Sequence, residues 1–226
     1  MKEYLRTNQK FWSRGYEAKN VESWVFRTYG RILVYEFKFD GTEKMLDFGC
    51  GQGATCNFFK RNGFDAYGVD VSEKDIAVAQ ANMPNHFKVI SPIPQENQVF
   101  FGGEFQLITG IQSFYYLSNT DLDTLLRCLY KQMTDGGIFY ATMMGVQSSF
   151  FEDSKPYKDG LRLIDTKSKR KKKKGKGVSY VNFTESEEEL IKKFHMFKPV
   201  HIGFYDFKIR SDEGTSFHYN FVGQKE

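Results

Sequence analysis

The chain has 226 residues, 40% of them apolar, which suits one domain with a buried core. Its formal net charge of +4 at pH 7 is mild and unevenly spread, because Lys167 to Lys176 (KSKRKKKKGK) holds eight basic residues and no acid. No apolar run approaches the ~20 residues of a membrane-spanning helix, which excludes an integral membrane protein of that type. The opening MKEYLRTNQKFW lacks the apolar stretch of a signal peptide, so the cytoplasm is the expected compartment. Cys50, Cys56 and Cys128 are odd in number and scattered, which argues against a disulfide framework and against a zinc site.

In chain order, residues 1–40 form a helical region, with Val21, Val25, Tyr29, Ile32 and Leu33 at helical spacing. Lys44 to Phe48 (KMLDF) is a buried strand that runs into glycines. Ala54 to Asn62 is a helix stopped by Gly63. Ala66 to Val69 is the next strand, and Ser72 caps a helix that Pro84 closes. Phe87 to Ile90 is a third strand, followed by a proline-bearing loop from Ser91 to Gly103. Phe105 to Thr109 is the fourth strand. Thr120 to Met133 is an amphipathic helix with Leu122, Leu125, Leu126, Leu129 and Met133 on one face, ended by Gly136 and Gly137. Ile138 to Met143 is the fifth strand.

Alternation of strand and helix up to this point implies a parallel sheet with helices on both faces. Val146 to Gly177 shows no regular element and is expected to be a flexible basic insertion. Val178 to Phe183 is a short strand. Ser186 to Phe194 is a helix capped by Thr184 or Ser186. Val200 to Arg210 and Ser216 to Gly223 form a terminal hairpin turned at SDEG. The fold class is therefore α/β, a Rossmann-like, mostly parallel seven-stranded sheet with an antiparallel C-terminal hairpin. One domain covers 1–226. It divides into an N-terminal helical lid (1–40), a cofactor-binding core (43–143), the insertion (146–177) and the C-terminal helix and hairpin (178–226).

The chemistry concentrates at Asp47-Phe48-Gly49-Cys50-Gly51-Gln52-Gly53, between a strand and a helix. Glycines there let a ligand approach the backbone, and the helix N-terminus offers oriented N–H groups. Asp70 follows 21 positions after Gly49, at the end of the second strand, where a carboxylate accepts ribose hydroxyls. Gly49, Gly51 and Ala54 also fit the dinucleotide pattern, so a nicotinamide-dependent oxidoreductase is the competing reading. Asp47 decides between them. A carboxylate beside the loop repels a pyrophosphate and attracts the ammonium and sulfonium of S-adenosylmethionine.

DFGCGQG with Asp70 resembles the class I S-adenosylmethionine-dependent methyltransferases over residues 43–143. The resemblance implies S-adenosyl-L-methionine as cofactor, with Asp47, Gly49, Cys50 and Gly51 around its methionine end. It implies Asp70 on the ribose, Val71 against adenine, and Gln112 in the loop after the fourth strand. The family's acid for the adenine amino group is missing from Val89 to Pro94, where backbone groups or the Ser91 hydroxyl replace it. The Asn/Asp-Pro-Pro-Tyr signature of base N-methyltransferases is also missing, since Gly110-Ile111-Gln112-Ser113 stands in its place. Phe11-Trp12-Ser13-Arg14-Gly15-Tyr16 looks like the entry segment of small-molecule members. There Tyr16, Arg27 or Arg31 meets the methionine carboxylate, unless the segment is only surface packing.

On the substrate side, Phe114-Tyr115-Tyr116 follows the fourth strand at the ligand-binding edge of the sheet, as pocket wall or as core. His86 reads as structural. His195, His201 and His218 stay open as proton carriers, and His195, His201 and Tyr115 are put forward for catalysis. No histidine pair has metal-ligand spacing, so no metal is expected. The lysine run is either a solvated loop or an anion-binding arm. The expected function is O-methylation of a small molecule: a sugar, a surface-polysaccharide precursor or a phosphorylated metabolite. An RNA-directed methyltransferase using the lysine run is an alternative, and nucleic acid is not the favoured partner.

Overall fold

The computed structural model describes residues 2–12, 20–93, 95–165 and 177–226. Helix α1 (Glu3–Trp12) and helix α2 (Ser23–Thr28) open the chain, and α2 runs on into a π-helical stretch over Tyr29–Val34. The predicted helical spacing is used to bury Val25 and Leu33. Strand β1 (Lys44–Phe48), helix α3 (Ala54–Arg61), strand β2 (Asp65–Asp70), helix α4 (Glu73–Asn82) and strand β3 (Phe87–Val89) follow in the expected order. Ser72 caps α4, its hydroxyl accepting from the Asp75 N–H at 3.3 Å. Gly63 ends α3 with φ +99°, pressed so close to Gly41 that a Cβ there would lie 2.7 Å from the Gly41 carbonyl oxygen.

Strand β4 (Phe105–Gly110), helix α5 (Asn119–Lys131) and strand β5 (Met133–Met144) complete the alternating part. The leucine face of α5 is buried as predicted, but the helix stops two residues earlier than expected. Met133 opens β5 instead, pairing with Phe105, and Gly136 and Gly137 sit within that strand's irregular start rather than after the helix.

The stretch 146–177 departs from expectation. It contains helix α6 (Ser149–Glu152), strand β6 (Ser154–Pro156) and strand β7 (Leu161–Asp165), and β7 pairs with strand β8 (Val178–Asn182). These three strands form a small antiparallel sheet. Each element is only three to five residues long, too short for a periodicity to register. Asn8 of α1 is buried against this sheet, donating to the Tyr180 carbonyl at 2.9 Å and accepting from the Tyr180 N–H at 2.8 Å. The basic run Lys167–Lys176 lies outside the described residues.

Helix α7 (Glu187–Lys193) is capped by Ser186, and strands β9 (Lys198–Tyr205) and β10 (His218–Gln224) close the chain. The hairpin loop is longer than the SDEG turn predicted. Asp206 holds it shut by accepting from the N–H groups of Lys208 and Ser216 at 3.0 and 2.8 Å. The seven-stranded sheet runs β3-β2-β1-β4-β5-β10-β9, and β10 alone runs against the others. The mostly parallel Rossmann-like sheet with an antiparallel finish is thus the observed architecture.

Because strand residues alternate between faces, the sheet feeds two cores. Met45, Leu107, Ile138 and Tyr140 pack with Cys56 and Phe59 of α3 and Ile76 of α4. Leu46, Ile108, Phe139 and Ala141 pack with the α5 leucines and Leu190 of α7. Much of the chain's aromatic content fills the second core, where Phe139 stacks on Phe197 at 4.1 Å and is fully buried. Phe139→Ala is expected to lower the unfolding free energy by about 3–5 kcal/mol in urea denaturation, while Phe204→Ala at an exposed position changes it by less than about 0.5 kcal/mol.

Candidate active site

Parallel strands leave a crevice at their C-terminal ends where the crossover direction reverses, here between β1 and β4. A cavity of about 990 Å³ opens there, bordered by Asp47, Gly49, Gly51, Asp70, Val71 and Gln112. The sequence-predicted cofactor residues within the described chain are therefore brought to one place, and Cys50 is with them.

Asp47, next to last in β1, is almost wholly buried, and its Oδ1 accepts from the Thr109 hydroxyl at 2.7 Å. Burial pushes its carboxyl up to about 7, with the nearby Asp70 charge adding to the rise and the Thr109 and Thr55 hydroxyls pulling the other way. Asp70 accepts from the Gly51 N–H at 2.9 Å and the Ser72 N–H at 2.8 Å. Its carboxyl is also raised, first by burial, and those N–H groups oppose the rise.

The loop between the two acids turns through Gly49 (φ +77°), Gly51 (φ +52°) and Gly53 (φ +83°). A Cβ at Gly49 would sit 2.4 Å from the Ser113 Cβ, whereas one at Gly51 would meet no atom within 4 Å. Gly49 is thus fixed by packing and Gly51 by backbone conformation beside open space. Cys50 is buried with its N–H donating to the Val69 carbonyl at 3.1 Å. Its thiol packs so tightly on Gly68 that a Cβ there would lie 2.7 Å from Sγ. Burial drives that thiol well above its ordinary range, so it is an inert packing group.

Gln112 follows β4 in a left-handed conformation, φ +55°. Its N–H donates to the Thr142 hydroxyl at 2.8 Å and its Nε2 donates to the Tyr205 hydroxyl at 3.3 Å. The Tyr205 ring stacks between Trp24, at 3.8 Å, and His218, at 5.0 Å. Tyr115 lies edge-tilted on His218 at 5.5 Å, is buried, and lines the cavity with Tyr116. Adjacent tyrosines after β4 thus serve both as core and as cavity wall.

The other predictions fare differently. His195 is exposed beside Asp123, and His201 is half exposed with Nε2 2.6 Å from Glu36 Oε2. Neither borders the cavity, because α7 ends away from the crevice and His201 lies on the edge strand β9. Arg27 and Arg31 are exposed on α2 and the π-helical turn and do not border it either. Tyr16 lies outside the described residues. Ser91 borders the cavity, its hydroxyl oxygen accepting from the Ile93 N–H at 3.2 Å. Sequence reasoning missed Gln9, Glu22, Gln98 and Tyr205, and left His218 undecided. All but Tyr205 border the cavity, and none stands in a motif.

These residues fit S-adenosylmethionine. A buried carboxylate, Asp47, and a partly buried one, Asp70, both with raised proton affinity, flank a glycine turn that faces open space, which suits a cationic methionine end and a ribose diol. A pyrophosphate would meet the same acids as repulsion. A methyltransferase-domain family model matches residues 21–207. The chain belongs to the methyltransferase-domain family. It is 27% identical over 97 residues to an uncharacterized methyltransferase of Synechocystis, a stretch covering 43% of this chain and 45% of the relative. It is 26% identical over 102 residues to a ubiquinone biosynthesis O-methyltransferase of Sinorhizobium medicae, covering 44% of this chain and 41% of the relative. The matched stretch thus spans less than half the length of these curated relatives.

In structure, it resembles a SAM-dependent methyltransferase of Anabaena variabilis at TM-score 0.69 and 16% identity, covering 100% of this chain and 96% of the other. A SAM-dependent methyltransferase of Methanosarcina mazei gives TM-score 0.66 and 14% identity over 91% of this chain and 98% of the other. S-adenosylmethionine is the cofactor, and when bound it supplies an electrophilic methyl group on a cationic sulfur.

Asp47 carries a pH consequence. Its folded carboxyl sits near 7 against 3.8 when unperturbed, so the cofactor-free fold loses stability as pH rises from about 4 to about 7. Asp47→Asn is expected to raise the melting temperature of the cofactor-free protein at pH 8, read by calorimetry. The same change is expected to weaken S-adenosylmethionine binding tenfold or more. Wild-type binding to that cation should be tighter at pH 8 than at pH 6, and below pH 7 it should release a proton, visible as a buffer-dependent binding enthalpy.

Proposed function

We propose that the chain transfers the methyl group of S-adenosylmethionine to a hydroxyl oxygen of an uncharged small molecule, a sugar or polysaccharide precursor. The observation that carries this reading is the extent of the cavity. It runs from the Asp47–Asp70 pair to an end bordered by Tyr115, Tyr116 and His218. The first end holds the cofactor's cationic and ribose groups. The second offers aromatic faces and an imidazole to a second, smaller molecule, the mixture that small polar ligands use. Methyl transfer is an in-line displacement, so holding acceptor and donor in one enclosed space supplies much of the rate. A relative that is by name an O-methyltransferase supports oxygen as the acceptor atom.

Charge narrows the acceptor. Glu22, Asp47, Asp70, Asp75 and Glu213 border the cavity, and no lysine or arginine does so among the described residues. A phosphorylated acceptor would be drawn into a field of its own sign, whereas a neutral polyol would not. The RNA-directed alternative rests on Lys167–Lys176, outside the described residues, and no feature of the cavity favours it.

Calorimetric titration with S-adenosylmethionine is expected to show binding to the wild type that weakens tenfold or more in Asp70→Ala. Labelled-methyl transfer is then expected for neutral sugars in preference to their phosphates. Preference for the phosphorylated members of the panel would refute the acceptor class, and unchanged binding by Asp70→Ala would refute the site.

A further inference from the structure

His218 is the one histidine among the described residues that borders the cavity, and it is 1% exposed. It opens β10, paired with Met144 of β5 on one side and Tyr205 of β9 on the other. Its Nδ1 lies 2.9 Å from the Ser216 carbonyl oxygen. A carbonyl can only accept, so Nδ1 carries the ring proton and Nε2 is left with a lone pair. That Nε2 is buried and has no hydrogen-bond partner among the described residues. A buried acceptor that nothing meets bears its full desolvation cost, and a catalytic role is one of the few reasons a fold keeps it.

The ring is also held still. Tyr205 stacks flat on it at 5.0 Å and 3°, Tyr115 leans on it at 5.5 Å, and Phe207 meets it edge-on at 5.7 Å. Gln112, beside the glycine loop, in turn anchors the Tyr205 hydroxyl. The imidazole is therefore tied by two contacts to the segment that borders the methyl donor's site.

Resting on the hydroxyl-acceptor reading above, we propose that His218 Nε2 is the proton acceptor for the hydroxyl that receives the methyl group. The acceptor oxygen forms its bond to the methyl carbon while its O–H bond breaks. The proton passes to Nε2, and the electron pair of the broken S–C bond remains on sulfur as a neutral thioether. The positive charge that leaves sulfur reappears on the imidazolium, which then yields its proton to water. Burial pulls the His218 imidazole down to about 4, opposed by the Ser216 carbonyl and the Asp206 charge, so it is neutral and ready to accept at pH 7. The titratable groups facing it are Tyr115, Tyr205 and Asp206. The oxygen's proton becomes far more acidic than imidazolium as the methyl bond forms, so a weakly basic imidazole is competent.

The test begins without cofactor. Nitrogen-15 NMR of the wild-type imidazoles is expected to show His218 as the Nδ1–H tautomer, unprotonated on Nε2 and still neutral at pH 5.5. His218→Gln keeps a hydrogen-bond acceptor but cannot take the proton. Its affinity for S-adenosylhomocysteine is expected to stay within about threefold of wild type, while turnover of a neutral sugar panel falls about a hundred- to ten-thousand-fold. A proton on Nε2 in the resting protein, or His218→Gln turning over the panel at a third of the wild-type rate or better, overturns the role of His218 alone. Methylation of a matched amine or thiol panel with none of the sugars overturns the acceptor reading, and this proposal with it.

Discussion

Strand β1 carries a carboxylate that is almost wholly buried. Asp47 is hemmed in by Thr109 of β4 and by the charge of Asp70 on β2, and burial raises its carboxyl to about 7, so that it is about half ionised near neutral pH. Among the described residues no lysine or arginine borders the cavity to pair with it. A buried carboxylate without a counter-ion is a standing cost to the fold. Such a group persists where a ligand supplies the missing charge. The glycine turn that follows can then be understood as access. Gly49 cannot carry a side chain because Ser113 fills the space, and Gly51 opens onto the cavity with its N–H committed to Asp70. The two acids and the turn form one unit, in which each hydrogen bond that positions an acid also shapes the loop.

The rest of the molecule holds that unit from both sides. The two cores grip β1 and β4 from opposite faces, through Met45 and Leu107 on one and Leu46 and Ile108 on the other. The small antiparallel sheet, which the sequence does not announce, gives α1 a surface to dock on. With Asn8 bonded on both sides to Tyr180, α1 places Leu5 and Gln9 along the cavity. The N-terminal region thus borders the site through helix packing, before any contribution from the segment around Tyr16.

The cofactor end was legible because it is local. Asp47, Gly49, Gly51 and Asp70 lie within 24 residues, and a strand, a turn, a helix and a second strand are each strong patterns. Fold class followed from the same alternation, and the terminal hairpin from its turn residues. What escaped was short or distant. Strands β6 and β7 are too brief to show a period. The end of α5 was overextended because Met133 continues the leucine spacing, yet its backbone pairs with Phe105, so sheet pairing overrode helical pattern. Cys50 sits inside the motif, but its thiol turns to Gly68, a direction that no spacing reveals.

The acceptor end shows most sharply why a motif names a cofactor and not a substrate. The end proposed for the acceptor is assembled from Tyr115 after β4 and, about a hundred residues further along the chain, Tyr205 at the end of β9 and His218 at the start of β10. His201 and His218 are equivalent in sequence terms, each a histidine in one hairpin. Register separates them. His218 pairs with Met144, so the strand that carries it enters the sheet between β5 and β9, and its ring is covered by Tyr205, Phe207 and Tyr115. His201 pairs with Val222 on the outer strand, where its other side is solvent and Glu36. A histidine that meets a carboxylate at the surface has its hydrogen-bonding need met there. One enclosed by Tyr115, Tyr205 and Phe207, with Nδ1 committed to the Ser216 carbonyl, keeps an Nε2 that meets no hydrogen-bond partner among the described residues.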